Sequence, residues 1–259
     1  ELLYGQLDKV MLSPFVNDIA VTEYTLPTTL IGMISTIPLS LITVAIPRLS
    51  RYIGENNKQK YQDTLQETTR VYMAILIPMA FGVFVLAKEI MWLYSKDVYT
   101  YVYPVLACAA ITRIIYGFES IIKYLVMYVN GMERQLTIML LSCGGLNFIL
   151  NLFFVFIKRF SAFTALSTTM FCVCVFVLIA VKYSEKKLGI KCKFFSKQIC
   201  GYFLAAFSFI PVSFFVKLQS RGYIWNIVLE MIICISIYSI YLIYTKDPLV
   251  KYIIKKFKK

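Results

Sequence analysis

Six uncharged apolar runs dominate the chain: Tyr24 to Pro47, Val71 to Ala87, Val98 to Thr112, Gln135 to Ile157, Phe160 to Val181 and Gln198 to Val216. Most are near the length of about 20 residues that crosses a bilayer core as a helix. Backbone amides in lipid must be satisfied within the segment, and runs of this length do so as helices. The third run continues through Arg113, Glu119 and Lys123, and a seventh span, Gly222 to Thr245, contains Glu230. Leu2 to Leu12 is too short to cross and carries Asp8 and Lys9, so it reads as the tail of a helix begun upstream. The expected fold class is an all-α integral membrane protein, a polytopic transmembrane helix bundle of about eight helices. Because the sequence opens on Glu1 with no charged-then-apolar leader, it reads as a fragment whose N-terminal part is missing.

Composition narrows the chemistry. Of the 259 residues 59% are hydrophobic and 16% charged, and histidine is absent. That absence removes Ser-His-Asp and Cys-His catalysis, His-ligated zinc and haem, and His proton relays. The longest connection, Arg48 to Thr69, leaves no room for a soluble catalytic domain. A net charge of +13 fits a nucleic-acid binder only when the bases share one folded soluble face. Here they sit between apolar runs, so no nucleic-acid partner is expected. Cys108, Cys143, Cys172, Cys174, Cys200 and Cys234 lie in apolar stretches and only Cys192 in a polar loop. A disulfide framework, a thiolate metal site and a cofactor are all unsupported.

The bases also orient the chain, because Lys and Arg are retained on the cytoplasmic side in short loops. Alternate connections, Arg48 to Arg70, Asn130 to Gln135, Lys182 to Lys197 and the tail after Thr245, hold 18 of the 27 basic residues, against five in the other set. The C-terminus is therefore expected in the cytoplasm. Trp92, Tyr94, Tyr99, Tyr101 and Tyr103, with Tyr223 and Trp225, read as interfacial anchors at the outer face. Leu49, Tyr52, Ile53, Tyr61 and Leu65 recur at helical spacings among charges, which suggests a cytoplasmic amphipathic segment on the headgroup surface.

Ionisable groups at membrane depth cost about 2.5 to 3.5 kcal/mol each on insertion scales, which makes them functional candidates. Arg113 is the sharpest. At about 1.5 Å per residue from a helix start near Val102 it lies roughly 16 Å deep, where a guanidinium either faces a watery cavity and holds a phosphate bidentately or pairs with a carboxylate such as Glu230 or Asp8. Glu119 and Lys123, four residues apart, can pair on one helix face, and a neutralised structural pair is the preferred reading. Glu230, about two turns into its helix, either hydrogen-bonds internally or takes a coupling cation or proton. Lys88 and Glu89 read as snorkelling at the outer interface. Asp8 and Lys9 point about 100° apart on a helix, so at least one looks inward. Pro27, Pro38, Pro47, Pro78 and Pro211 interrupt apolar helices, as membranes tolerate.

Several motifs then read together. L-D-K-V-M-L at Leu7 to Leu12 comes first, followed by Glu23-Tyr24 opening a proline-bearing helix that ends P-R-L-S at Pro47 to Ser50. V-N-G-M-E-R at Val129 to Arg134, N-F-I-L-N at Asn147 to Asn151 and the small-residue run from Ser161 follow in order. The chain resembles the second half of Wzx-like polysaccharide flippases of the multidrug/oligosaccharidyl-lipid/polysaccharide exporter superfamily. The resemblance implies the C-terminal half of a fold with 12 to 14 helices: a second six-helix bundle over residues 1–182, its first helix truncated, then two accessory helices and a basic tail over 183–259. It implies translocation of undecaprenyl-diphosphate-linked oligosaccharide across the bacterial cytoplasmic membrane by alternating access, through a cationic cavity and without a chemical step. On this mapping Asp8, Lys9 and Arg48 match family motif positions, whereas Arg113 comes from depth alone. Expected partners are the lipid-linked oligosaccharide, membrane lipids, a coupling ion (H+ or Na+) and polysaccharide assembly proteins.

Two alternatives stay open. A drug or cation antiporter of the same superfamily would show acidic residues dominating the cavity, yet the inner helices carry as many bases as acids. A membrane polymerase, ligase or acyltransferase would need a large outer loop or an intramembrane histidine, and a missing N-terminal part could supply one.

Overall fold

The computed structural model describes residues 2–190, 194, 196–219 and 222–247, with side chains described from residue 5. All regular structure in these residues is helical: α1 (Leu2–Phe15), α2 (Asp18–Gly54), α3 (Lys58–Val85), α4 (Ala87–Ser95), α5 (Tyr103–Ser120), α6 (Glu133–Phe156), α7 (Ala162–Leu188), α8 (Lys197–Phe207), α9 (Phe209–Leu218) and α10 (Tyr223–Tyr244). A 3₁₀ turn at Thr100–Val102 leads into α5, and Ile121–Tyr128 prolongs α5 as a π-helix. Seven helical stretches are long and apolar enough to cross a membrane: 18–54, 58–85, 100–128, 133–156, 162–188, 197–218 and 223–244. With the 14-residue α1 these match the eight segments read from the sequence. The protein is a polytopic membrane helix bundle.

Helices α6 and α10 turn polar groups into an otherwise apolar core and present apolar side chains outward. On α6 the buried positions are Leu136, Cys143, Gly144, Asn147 and Asn151, while Ile138, Leu141, Ile149, Phe153 and Phe156 are exposed. On α10 the buried stripe steps by four through Asn226, Glu230, Cys234, Tyr238 and Leu242, with Ile224, Met231, Ile235 and Ile240 outward. Spacings of three and four place residues on one helix face, and an outward apolar face with polar groups turned inward is the arrangement lipid selects.

Helix ends follow local chemistry. Asn17 caps α2 through the Ala20 amide at 2.7 Å, and Asn57 caps α3 through that of Lys60 at 3.1 Å, each satisfying a donor the helix start leaves open. Ser161 and Thr164 form a reciprocal capping box on α7, and Gly189 ends it in the left-handed conformation that a residue without Cβ adopts freely.

The connection expected to lie on the headgroup surface is instead a helical hairpin. Residues 48–54 complete α2, Lys58 to Arg70 begin α3, and Leu49, Tyr61 and Leu65 are buried in the core. The Tyr61 hydroxyl donates to the Leu125 carbonyl at 2.8 Å. Their apolar face was legible in the sequence, but packing against helices replaced packing against lipid.

Helix α3 lies at the centre, packed against α2, α5 and α8. Helix α1 packs on α2, α6 and α7, and α10 packs on α9, α4 and α8. One core cluster joins α1, α2, α5 and α7 through Leu12, Ile31, Leu106 and Ala165, and a second joins the other ends of α2 and α3 to α7, α8 and α10.

Candidate functional site: a cationic cavity backed by a buried polar network

Helices α1, α2 and α5, with Leu166 of α7, line a partly open cavity of about 240 Å³ whose walls include Gln6, Lys9, Tyr24, Thr28, Thr112 and Arg113. Two of the cations singled out in the sequence therefore share one space. The Arg113 guanidinium lies 5.6 Å from the centre of the Tyr116 ring, a cation–π distance, and reaches across to α2. There a Cβ on Gly32 would stand 3.5 Å from its Nη2. Threonine hydroxyls from α2 and α5 complete the wall. The arrangement offers two cationic side chains and several hydroxyls to an anion.

Behind this cavity Asp8 is fully buried. Its Oδ2 accepts from the Tyr24 hydroxyl and from Thr169 Oγ1, each at 2.7 Å, and its Oδ1 accepts from Asn151 Nδ2 at 2.7 Å. The network extends on: Thr168 Oγ1 donates to Asn151 Oδ1 at 2.5 Å, and Asn147 Nδ2 donates to Thr169 Oγ1 at 3.0 Å. A buried carboxylate is tolerable when donors saturate it, and here three helices supply them. Tyr24 belongs to both structures, its side chain lining the cavity while its hydroxyl holds Asp8.

Asp8 thus spends its oxygens on neutral donors, and the Asp8–Arg113 ion pair that the sequence left open is not formed. Asp8 and Lys9 do diverge: the first looks into the α1–α6–α7 interface and the second into the cavity.

The remaining candidates lie elsewhere. Glu119 and Lys123 pair at 3.1 Å, with the Glu119 side chain 1% exposed, as their spacing suggested. They stand where α5 passes into its π-helical continuation. Arg48 is exposed in the last turns of α2, about 24 Å along the helix from Gly32 at 1.5 Å per residue. Glu230 is buried on α10, beside Lys217 and Glu89. Glu89 does not snorkel: it is buried and accepts from Lys217 Nζ at 3.0 Å, while the same ammonium donates to the Val85 carbonyl at 2.6 Å. A partner from a distant helix turned an interfacial carboxylate into an internal tie. Lys88 lies 6.0 Å from the Tyr223 ring.

Sequence reasoning did not assign a role to Tyr24, Asn147, Asn151, Thr168 or Thr169. The signal was present in N-F-I-L-N, whose asparagines four apart share one helix face, and in the Thr168-Thr169 pair.

Cys108, Cys143, Cys172, Cys174, Cys200 and Cys234 are free thiols, and no group of three or more metal-ligating residues occurs among the described residues. Cys192, Lys191, Lys193 and the basic tail after Asp247 lie outside the described residues.

The architecture is similar to that of a solved structure, the lipid II flippase MurJ in its inward closed conformation. The TM-score is 0.76 at 15% sequence identity, with 96% of this chain and 52% of that one covered. At that identity the likeness is one of fold, and the chain spans about half the length of that relative. No curated protein matches the chain. The MatE family model matches residues 1–153, the stretch that holds α1 to α5 and most of α6 and with them Asp8, Lys9 and Arg113, and the chain belongs to the MatE family.

Proposed function

We propose that the chain forms the second half of a flippase that carries undecaprenyl-diphosphate-linked oligosaccharide across the bacterial cytoplasmic membrane, binding and releasing its cargo without a chemical step. Residues 1–182 serve as the bundle that holds the cavity and residues 183–259 as accessory helices with a basic, cytoplasmic tail. The observation that carries this reading is the cavity that brings Arg113 and Lys9 together between α1, α2 and α5. Lys9 and Arg113 are both half-buried and line the same cavity, so an anionic cargo entering it meets two positive charges. A diphosphate presents paired oxygens that a guanidinium meets bidentately and an ammonium meets as a point charge. The MatE family match and the fold shared with a structure named as a lipid II flippase support the same reading.

The test is Arg113→Ala in the native gene product, with surface polysaccharide and membrane abundance measured together. Export is expected to be lost at normal abundance, with partial recovery in Arg113→Lys. Full export by the alanine variant overturns the proposal, and so does a fall in abundance that alone accounts for the loss, which marks Arg113 as structural. Export of a cationic drug instead of polysaccharide, dependent on Asp8, identifies an antiporter.

A further inference from the structure

A second charged site lies between α4, α9 and α10, away from the cavity. Glu230 is fully buried and neither of its carboxylate oxygens accepts a well-formed hydrogen bond, although the Ser213 hydroxyl lies close by. One turn earlier on the same face, Asn226 is buried and its Oδ1 is without a partner. Two acceptor-rich side chains thus face a closed interior with three poorly served oxygens. Unserved buried acceptors are strongly disfavoured.

The groups around Glu230 define what it lacks. From α4 comes Glu89, whereas Lys88 of the same helix is exposed and lies over the Tyr223 ring. From α9 come Lys217 and Ser213, and from α10 itself Cys234. Helix α3 contributes the Val85 carbonyl. Helix α8 carries one charged residue, Lys197, at its opposite end. Lys217 is already committed, donating to Glu89 at 3.0 Å and to Val85 at 2.6 Å. Glu89 and Lys217 neutralise each other, so an ionised Glu230 would leave one uncompensated negative charge in the membrane interior. One added positive charge balances the site, and a proton also supplies the donor that the facing oxygens lack.

We propose that Glu230 is a membrane-embedded proton-binding site, its protonated carboxyl donating within the α9–α10 interface while the Lys217–Glu89 pair stays intact. The proton comes from hydronium: the carboxylate oxygen gains it and water is left. The Lys217 side chain, 34% exposed, marks the aqueous approach. When the proton leaves, Glu230 becomes a second anion competing for the Lys217 ammonium, which loosens its bonds to Glu89 and Val85 and so the tie from α9 to α4. This proposal goes beyond the assignment of cargo and does not depend on it.

The test is infrared spectroscopy of the native protein in lipid nanodiscs near neutral pH, in sodium and in sodium-free potassium buffer. A carboxylic-acid carbonyl band is expected in both, shifted in D2O, and Glu230→Gln should remove one carboxyl equivalent of it while leaving the protein folded. Should that variant fail to fold, Glu230→Asp serves, because a protonated aspartate moves the band. Three results overturn the proposal: no such band in the wild type, a band unchanged by either substitution, or a band that appears only when sodium is withdrawn. The last would identify a metal-cation site.

Discussion

Asn151 donates to Asp8 Oδ1 from α6 while Tyr24 and Thr169 serve Oδ2 from α2 and α7, so one carboxylate is shared by the helices that wall it in. Replacing Asn151 with Ala strands Asp8 Oδ1, while the Thr168 hydroxyl keeps the Ala165 carbonyl as acceptor. An unserved buried polar group costs about 1–3 kcal/mol, more where charge is involved. Asn151→Ala should therefore lower the thermal unfolding midpoint of the detergent-solubilised protein, and Asp8→Asn should compensate part of that loss when the two are combined. A midpoint unchanged by Asn151→Ala would mean that the network does not bear on stability. Charge was conspicuous in the sequence, so Asp8, Lys9, Arg113 and Glu230 could be picked out there. Neutral partners in apolar runs were not, because one Asn or Thr among Leu and Phe says nothing about which distant helix it will meet.

At the level of the helix, what the sequence left unread is mostly where one helix ends and another begins. Pro211 lacks the amide that would serve the Phe207 carbonyl, and the apolar run from Gln198 to Val216 is divided at Ser208 into α8 and α9. Pro27, Pro38 and Pro47 by contrast sit within an unbroken 37-residue α2. The Arg48 to Arg70 hairpin needed its partner helices to be known before Tyr61 and Leu65 could be placed. Helix α5 packs tightly on α3 at Gly117, where a Cβ would collide with the Leu76 side chain and stand 3.1 Å from Tyr72. Overpacking at such a contact costs about 1–3 kcal/mol. Gly117→Val is accordingly expected to destabilise the bundle and to be rescued in part by Leu76→Ala, measured by unfolding midpoint. Lack of rescue would place the strain elsewhere.

For the whole molecule, the sequence conveyed the helix count because apolar runs of bilayer-crossing length mark each helix. It did not convey which charges converge: Lys9 and Arg113 share a cavity, while Arg48, Glu119 with Lys123, and Glu230 stand apart from it. Convergence depends on how helices pack, and a chain's apolar periodicity does not encode that. Orientation is open to a direct check. In intact cells a cysteine at Lys158 should react with an impermeant thiol reagent and one at Lys187 should not, with the reverse pattern inverting the topology. The most direct measurement of the central claim, that the Arg113–Lys9 cavity holds a lipid diphosphate, is equilibrium binding of a polyprenyl diphosphate to the purified native protein. Polyprenyl monophosphate serves as the comparison. Charge-assisted hydrogen bonds contribute about 1.5–3 kcal/mol, so Arg113→Ala should weaken diphosphate binding by about tenfold or more and bring it close to that of the monophosphate. Equal affinity of wild type and Arg113→Ala for the diphosphate would contradict the account.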